Sequence, residues 1–282
     1  MPELSFVKMH GAGNDFILSD HLDGTGPLDQ ADLGDLAVLL CERHFGIGAD
    51  GLVLVLPSDS ADYRMRIMNS DGSEAEMCGN AIRCFAKYLF DRGLAGTSLS
   101  VETLSGVKRI EVQSDEGKAF AATVNMGAPK LDASDIPVSG YEGRVILQPI
   151  EVDGRSFEIT CVSMGIPHCV IFVDSADAVP LLEIGPRIET HAAFPQKTNV
   201  DFAQAVSRQD VIMRVWERGA GATLACGTGA CATVVAGSIT GKTDGRAAVH
   251  LPGGDLFIDW RDDGNVYMTG PAAEVYTGKI SL

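Results

Sequence analysis

Apolar and polar positions along the chain change period several times, and each change marks an element. Residues 63–68, Tyr-Arg-Met-Arg-Ile-Met, alternate with the period of two expected of a strand that has one buried face. Upstream, 52–56 is an unbroken run of Leu and Val, the mark of a strand covered on both faces. Ile82, Phe85, Ala86 and Leu89 then fall at i, i+3, i+4 and i+7, one face of a helix that ends near Gly93. Nearer the start, 5–8 and 16–19 read as short strands around the glycine-bearing loop 10–15, and 33–45 has helical spacing that Gly46-Ile47-Gly48 breaks. Several short strands follow up to Met126, and the Gly-, Pro-, Asp- and Ser-rich stretch 127–143 reads as a linker.

The pattern then starts again. Segment 155–163 is strand-like, 164–168 stands where the first glycine loop stood, and 169–173 is a strand. Residues 179–191 form a helix broken around Gly185-Pro186, 198–202 leads toward a strand at 211–216, and a last helix runs from about 229 to 238. Three pairs share one register: Met65-Arg66 and Met213-Arg214, Cys78-Gly79 and Cys226-Gly227, Gly106 and Gly254 are each 148 positions apart. A common offset without a gap points to duplicated units, and its length excludes a solenoid. The expected fold is α/β of the α+β type, with two similar domains related by an approximate twofold, each a strongly curved mixed sheet wrapped around a central helix. Their expected extents are 1–127 and 128–271, with a strand in 272–282 crossing back to complete the first.

Composition narrows the function. A net charge of -16 with only 22 Lys and Arg argues against nucleic acid or an anionic membrane surface as partner. No stretch approaches the roughly 20 apolar residues of a membrane span, and the first ten residues lack a basic and then apolar leader. The chain is therefore expected in the cytoplasm. Seven cysteines, at 41, 78, 84, 161, 169, 226 and 231, include no C-x-x-C pair, which leaves a structural zinc or a thioredoxin-like site without support. No metal is expected, and most of these cysteines read as small buried hydrophobes, Cys84 and Cys169 above all.

Cys78 and Cys226 are different. Each precedes a glycine where a polar or glycine-rich loop turns into an apolar helix, so backbone N–H groups and the positive end of a helix dipole aim at the sulfur. A free thiol titrates near pH 8.5, and such a setting is expected to lower it toward neutrality. If the two helix starts face one cleft, a carbon between them can lose a proton to one sulfur and gain one from the other on its reverse face. That is stereoinversion. The N–H groups of Gly79, Asn80, Gly227 and Thr228 could cradle the carboxylate of an amino acid while its α-carbon is deprotonated.

Several further motifs carry a resemblance. Gly11-Ala12-Gly13-Asn14-Asp15-Phe16, residues 69–83 around Cys78-Gly79-Asn80, Val162-Ser163-Met164-Gly165 with Pro167-His168, and Glu217-Arg218-Gly219-Ala220-Gly221 leading to Cys226-Gly227-Thr228-Gly229-Ala230 together resemble diaminopimelate epimerase across nearly the whole chain. The resemblance implies a cofactor-independent isomerase interconverting LL- and meso-diaminopimelate, a small diamino-dicarboxylate, on the route to lysine and peptidoglycan precursors. It implies that Cys78 and Cys226 are the catalytic acid and base, that His168 and Glu217 tune their protonation, and that Asn14, Asn69, Asn199, Glu217 and Arg218 contact substrate. Arg218 could grip a distal carboxylate through two parallel hydrogen bonds. Tyr276 resembles a residue of the family's homodimer interface.

Ile166 and Gly51 depart from the family pattern, which usually has Asn at the first position and in some members Gln at the second. Isoleucine offers no hydrogen bond to a substrate. A racemase or epimerase with the same two thiols and a different distal pocket is the alternative reading. Gly227-Thr228-Gly229-Ala230-Cys231-Ala232 also fits a dinucleotide-binding fingerprint, but no acidic residue follows at the required distance in a second strand. A non-catalytic module is disfavoured by the retention of both Cys-Gly pairs with His168 and Glu217. A pyridoxal enzyme is disfavoured because none of the eight lysines lies in a phosphate-loop context. The two thiols are expected to oxidise reversibly, with loss of activity that reductant restores.

Overall fold

The computed structural model describes residues 3–24 and 33–282. They form two compact units, Met1–Val124 with Gly270–Leu282, and Asn125–Thr269. The expected boundaries, after 127 and after 271, fall slightly further along the chain.

The first unit opens on a hairpin of β1 (Glu3–Gly11) and β2 (Asn14–Asp20). Gly11 pairs with Asn14, so the loop expected over 10–15 shrinks to Ala12-Gly13, both at positive φ (52° and 82°). Two left-handed residues match the twist of the strands they join. Helix α1 (Leu33–Cys41) stops four residues short of its expected end, because the N–H groups of Ile47 and Gly48 turn back to the Leu40 carbonyl and that of Ala49 to Cys41. The chain continues through β3 (Gly51–Leu56), β4 (Tyr63–Asn69), β5 (Glu74–Ala75), α2 (Gly79–Asp91), β6 (Ser98–Thr103), β7 (Gly106–Asp115) and β8 (Lys118–Gly127). Helix α2 buries ten residues, Ile82, Phe85, Ala86 and Leu89 among them, and packs on β1, β2, β3, β4, β7 and the last strand of the chain. It is enclosed by strands, as an apolar helix stripe on several faces requires.

The second unit repeats the scheme with β9 (Gln148–Val152), β10 (Arg155–Ser163), β11 (Pro167–Phe172), α3 (Leu181–Glu189), β12 (Asn199–Ala205), β13 (Asp210–Glu217), β14 (Gly221–Ala222), α4 (Gly227–Ile239), β15 (Arg246–Leu251), β16 (Gly254–Trp260) and β17 (Val266–Pro271). The ladders correspond one for one. In the first unit β1–β2 is antiparallel, β2–β3 parallel, β3–β4 antiparallel, β4–β6 parallel and β6–β7 antiparallel. In the second, β10–β11, β11–β12, β12–β13, β13–β15 and β15–β16 follow the same order. At an offset of 148, α4 falls on α2 and β15 on β6 residue for residue. The last strand, β18 (Ala273–Ser281), pairs antiparallel with β1 and so belongs to the first unit.

Two expectations need correction. The stretch 127–143 is not a loose linker: Ala133, Ile136 and Val138 are buried in the core of the second unit with Ile150, Phe194 and Phe202. Its turn-forming residues bend a backbone whose polar groups are paired locally, as in Lys130 with Ser163 and Ala133 N–H with the Gly143 carbonyl. Helix α3 runs unbroken through Gly185-Pro186. Pro186 deprives only the Leu182 carbonyl of a partner, on a residue 74 % exposed where water can serve instead. Gly185 is there for close packing, since a Cβ would stand 2.7 Å from the Trp216 ring.

Trp216 cannot easily yield, because its indole N–H donates to Glu189 Oε2 at 2.7 Å. Gly185→Ala should therefore destabilise the protein by about 1–3 kcal/mol, the range for overpacking, despite alanine's better helix propensity. A urea-unfolding midpoint unchanged or raised would contradict this reading.

Candidate active site

Both central helices begin without a cap. Cys78 precedes α2 in extended conformation (φ -135°, ψ 120°) and Cys226 precedes α4 likewise (φ -122°, ψ 110°). Neither helix has an acidic residue in its first turn, and neither is given a side-chain cap. The first amide N–H groups of a helix have no partner within it, and they carry the positive end of its dipole. Gly79, Asn80, Gly227 and Gly229 are buried and Thr228 half-buried, so these helix starts lie in the protein body and not on an open surface.

In the first unit the half-buried Cys78 thiol donates to Asn14 Oδ1 at 3.7 Å, and the Asn80 amide donates to the same oxygen at 3.2 Å. The opposite face of Asn14 is fixed by charge, its amide donating to Asp50 Oδ2 at 2.6 Å. Asp50 also accepts from the Asp15 N–H at 3.0 Å and from Arg43 at 2.7 Å. Arg43 and Lys8 both reach Asp15, at 2.9 and 2.6 Å. Burial alone would raise the Asp15 carboxyl, but the hydrogen bonds from Arg43 and Lys8 outweigh it and hold the group at about 2. Beneath the helix start the fully buried Arg83 donates to the Gly79 carbonyl at 2.9 Å, to Asn80 Oδ1 at 2.8 Å and to the Pro271 carbonyl at 3.3 Å. Asn69 is exposed at the end of β4, opposite Gly51, with its amide on Ser73 Oγ at 2.9 Å, and the next residue's N–H, that of Ser70, donates to the Asp50 carbonyl at 3.1 Å.

In the second unit Cys226 is buried, and its sulfur lies 3.5 Å from Thr228 Oγ1. Thr228 Oγ1 is 3.0 Å from His168 Nε2, and His168 Nδ1 is 2.7 Å from Asp201 Oδ2. Glu217 accepts a hydrogen bond from the Thr223 hydroxyl. The expectation of a lowered thiol pKa fails for Cys226. Burial, followed by the negative charges of Glu217 and Asp201, pushes it well above its ordinary value, and the Thr228 and Gly229 contacts that favour the thiolate do not compensate. The bland reading suits other thiols: burial lifts Cys41 to about 11 and Cys84 to about 12. None of the seven cysteines is in a disulfide.

Asn199 is buried, its Oδ1 accepting from the Arg218 N–H at 2.7 Å and its amide donating to the Pro167 carbonyl at 3.2 Å. Arg218 is exposed, with its guanidinium on the Gln196 carbonyl at 3.1 Å. Ile166 is half-buried in the turn before His168, and Gly51 is buried in β3 beside Phe16 and Asn69. Tyr276 lies on β18 opposite Lys8 of β1, 45 % exposed and edge-on to Phe6. Asp50, Arg83 and Asp201 were missed by reading the sequence. A signal existed for Asp201, a charge between Val200 and Phe202 in an apolar strand, two residues from Asn199 and hence on its face.

Two thiols at like helix starts, with amide, imidazole and carboxylate neighbours, define a protein equipped for acid–base chemistry by side chains. Solved structures with the same fold include the Bacillus anthracis phenazine biosynthesis protein of the PhzF family (TM-score 0.73, 17 % identity, 100 % of both chains). A probable proline racemase from Agrobacterium radiobacter K84 is another (TM-score 0.72, 15 % identity, 99 % of this chain and 93 % of that one). Sequence similarity goes further. The diaminopimelate epimerase family matches residues 6–131 and 160–275. The diaminopimelate epimerase of Pelotomaculum thermopropionicum is 56 % identical over 277 residues, 98 % of each chain, and that of Moorella thermoacetica 52 % over 281, 99 % of this chain and 100 % of its own. The chain belongs to the diaminopimelate epimerase family, and with it to the isomerases.

Because the Cys226 pKa is raised, its thiolate is scarce at neutral pH and grows only as pH climbs past the ordinary thiol range. Iodoacetamide labelling of Cys226, followed by mass spectrometry, should be slow at pH 7 and keep accelerating beyond pH 9; a rate that has levelled off by pH 9 would contradict the account. Asp50→Ala should leave Asn14 free to turn away from Cys78. Losing a charged hydrogen-bond partner is worth about 1.5–3 kcal/mol, so turnover should fall roughly 10- to 100-fold with the fold intact by circular dichroism. Full activity in that variant would remove Asp50 from the site.

Proposed function

We propose that the chain interconverts LL- and meso-diaminopimelate in lysine biosynthesis, with Cys78 and Cys226 as the paired base and acid on opposite faces of one α-carbon and no cofactor. The observation that carries this reading is the repeated one: two thiols outside any disulfide, each the extended residue before an uncapped helix, in matching positions of a duplicated fold. A single base would have to pick a proton up and return it across the plane of the carbanion. Two thiols, one deprotonated, can each serve one face, and the pair exchanges roles in the reverse direction.

An α-proton of an amino acid is far less acidic than a thiol, so charge developing on the carboxylate side must be met by fixed donors. The N–H groups of Gly79, Asn80, Gly227 and Thr228 supply them without reorganisation. Asn14 holds the Cys78 proton from one side, and Glu217 and His168 govern that of Cys226. Asn69, Asn199 and Arg218 recognise the distal amino-acid end, where a guanidinium suits a carboxylate. Ile166 gives this end an apolar element, and a different amino acid with the same backbone chemistry is the other outcome its presence favours.

The protein acts as a homodimer through the face that carries Tyr276. Strand β18 pairs with β1 and presents Val275 and Tyr276, 57 % and 45 % exposed. A long strand with an open edge and apolar side chains is a ready pairing surface.

Reduced protein without added cofactor should exchange and invert the α-proton of LL-diaminopimelate in D2O, followed by NMR, and leave a panel of ordinary L-amino acids untouched. Cys78→Ala and Cys226→Ala should each abolish inversion. Exchange on another amino acid would reassign the substrate, and turnover surviving either substitution would remove the two-thiol mechanism. Light scattering should give a mass near twice 29.8 kDa, with Tyr276→Asp shifting it toward the monomer; a wild-type monomer would refute the dimer.

A further inference from the structure

The second unit contains a buried carboxylate for which the two-thiol mechanism has so far assigned no task. Asp201 is fully buried, and only its Oδ2 has a hydrogen-bond partner, His168 Nδ1 at 2.7 Å. Its Oδ1 is without a partner and points at the first turn of α4, where a Cβ on Gly229 would stand 2.6 Å from it. Glycine at 229 is thus what lets a carboxylate come against the helix start. A buried acidic group with an open valence is costly to keep. Its one bond is to an imidazole that is itself 0 % exposed.

The hydrogen-bond network assigns the His168 tautomer from both ends. The Arg218 N–H can only donate, so the atom of Asn199 that faces it at 2.7 Å is Oδ1. Asn199 Nδ2 must then face the Pro167 carbonyl at 3.2 Å and His168 Nε2 at 3.5 Å. An amide donor toward Nε2 requires a lone pair there, and the carboxylate at Nδ1 requires a proton there. The Thr228 hydroxyl, 3.0 Å from the bare Nε2, donates to it, which leaves its oxygen to accept the Cys226 S–H at 3.5 Å. Every donor along the line from Cys226 through Thr228 and His168 to Asp201 thus points the same way.

We propose that Asp201 is a positioning residue that, through His168 and the Thr228 hydroxyl, provides Cys226 with an internal acceptor for its thiol proton. This rests on the reading of Cys226 as an acid–base catalyst. The S–H bond of Cys226 breaks as its proton passes to Thr228 Oγ1, while the proton Thr228 already carries passes to His168 Nε2. Threonine remains a neutral alcohol, now donating to a thiolate. The imidazole becomes an imidazolium held between Asp201 and Thr228, and the net charge of the site is unchanged. The groups that face the two ends are Asp201 on β12 and Glu217 on β13, with the His168 ring itself on β11. Burial and both carboxylates oppose a bare thiolate at Cys226. An imidazolium formed two hydrogen bonds away offsets that opposition without opening the site to water.

The through-space and relayed effects of Asp201 have opposite signs, which makes the proposal testable. Removing a negative charge by Asp201→Asn would by itself ease ionisation of Cys226; removing the anchor of the imidazolium would hinder it. The thiolate absorbance of Cys226 near 240 nm, taken as wild type minus Cys226→Ser over a pH series in the full-length protein, reads the difference without requiring turnover. Asp201→Asn and Thr228→Val should each delay the appearance of the thiolate by one pH unit or more, with Thr228→Ser restoring it. Nitrogen-15 NMR of the imidazole should show Nδ1 protonated and Nε2 bare in the wild type. Onset at lower pH in Asp201→Asn, an unchanged titration in Thr228→Val, or a wild-type ring protonated at Nε2 would each overturn the relay. Those results would leave the proton-exchange test of the enzyme's reaction standing on its own.

Discussion

A helix that starts inside a protein leaves its first N–H groups aimed at something, and here that something is not supplied by the helix itself. Cys78 and Cys226 occupy the cap positions of α2 and α4, yet neither helix is given a side-chain cap or an acid in its first turn. Serine, threonine or aspartate there would satisfy a backbone donor and neutralise part of the dipole. Cysteine gives up most of that stabilisation and leaves donors and a thiol together. The β-rich scaffold around each helix, with α2 lying against six strands of its unit, holds the helix start against the fraying that an uncapped end invites.

The two thiols share a backbone setting and differ in their company. Cys78 faces a neutral amide whose orientation is imposed by a charged set, Asp50, Arg43, Asp15 and Lys8. Cys226 faces a hydroxyl, an imidazole and two carboxylates, in a buried environment that favours the protonated form. Duplication explains the common frame, and divergence after it explains the different neighbours. Unequal environments are what an acid and a base require, since identical ones would give two groups competing for the same protonation state.

Much of this was legible in the sequence, because the relevant signals are local or periodic. The alternation at 63–68, the stripe from Ile82 to Leu89 and the 148-residue register each correspond to observed elements, and α4 needed only an earlier start. Signals that depend on packing were misread. Gly185-Pro186 suggests a break by local propensity but serves contact with Trp216, and the turn-rich 127–143 hides three core side chains. At the site, the Cys-Gly helix starts were visible as motifs. The Cys226 pKa was not, because it depends on burial and on Glu217 and Asp201, residues brought beside it only by β12 and β13. Asp201 carries a local signal, a charge in an apolar strand, but its partner His168 is brought against it only by the fold.

The central claim is that two distinct groups serve the two faces of one carbon, and isotope content at the earliest turnover tests it most directly. LL-diaminopimelate carrying α-protons is incubated with the reduced protein in D2O, substrate and meso product are separated by chiral chromatography at a few per cent conversion, and the deuterium content of each is read by mass spectrometry. Two thiols predict product carrying deuterium at the inverted carbon while the remaining substrate keeps its proton, because the acid that delivers has equilibrated with solvent before the base has released. Product that retains the original proton would mean a single group carrying it from one face to the other, and would contradict the account.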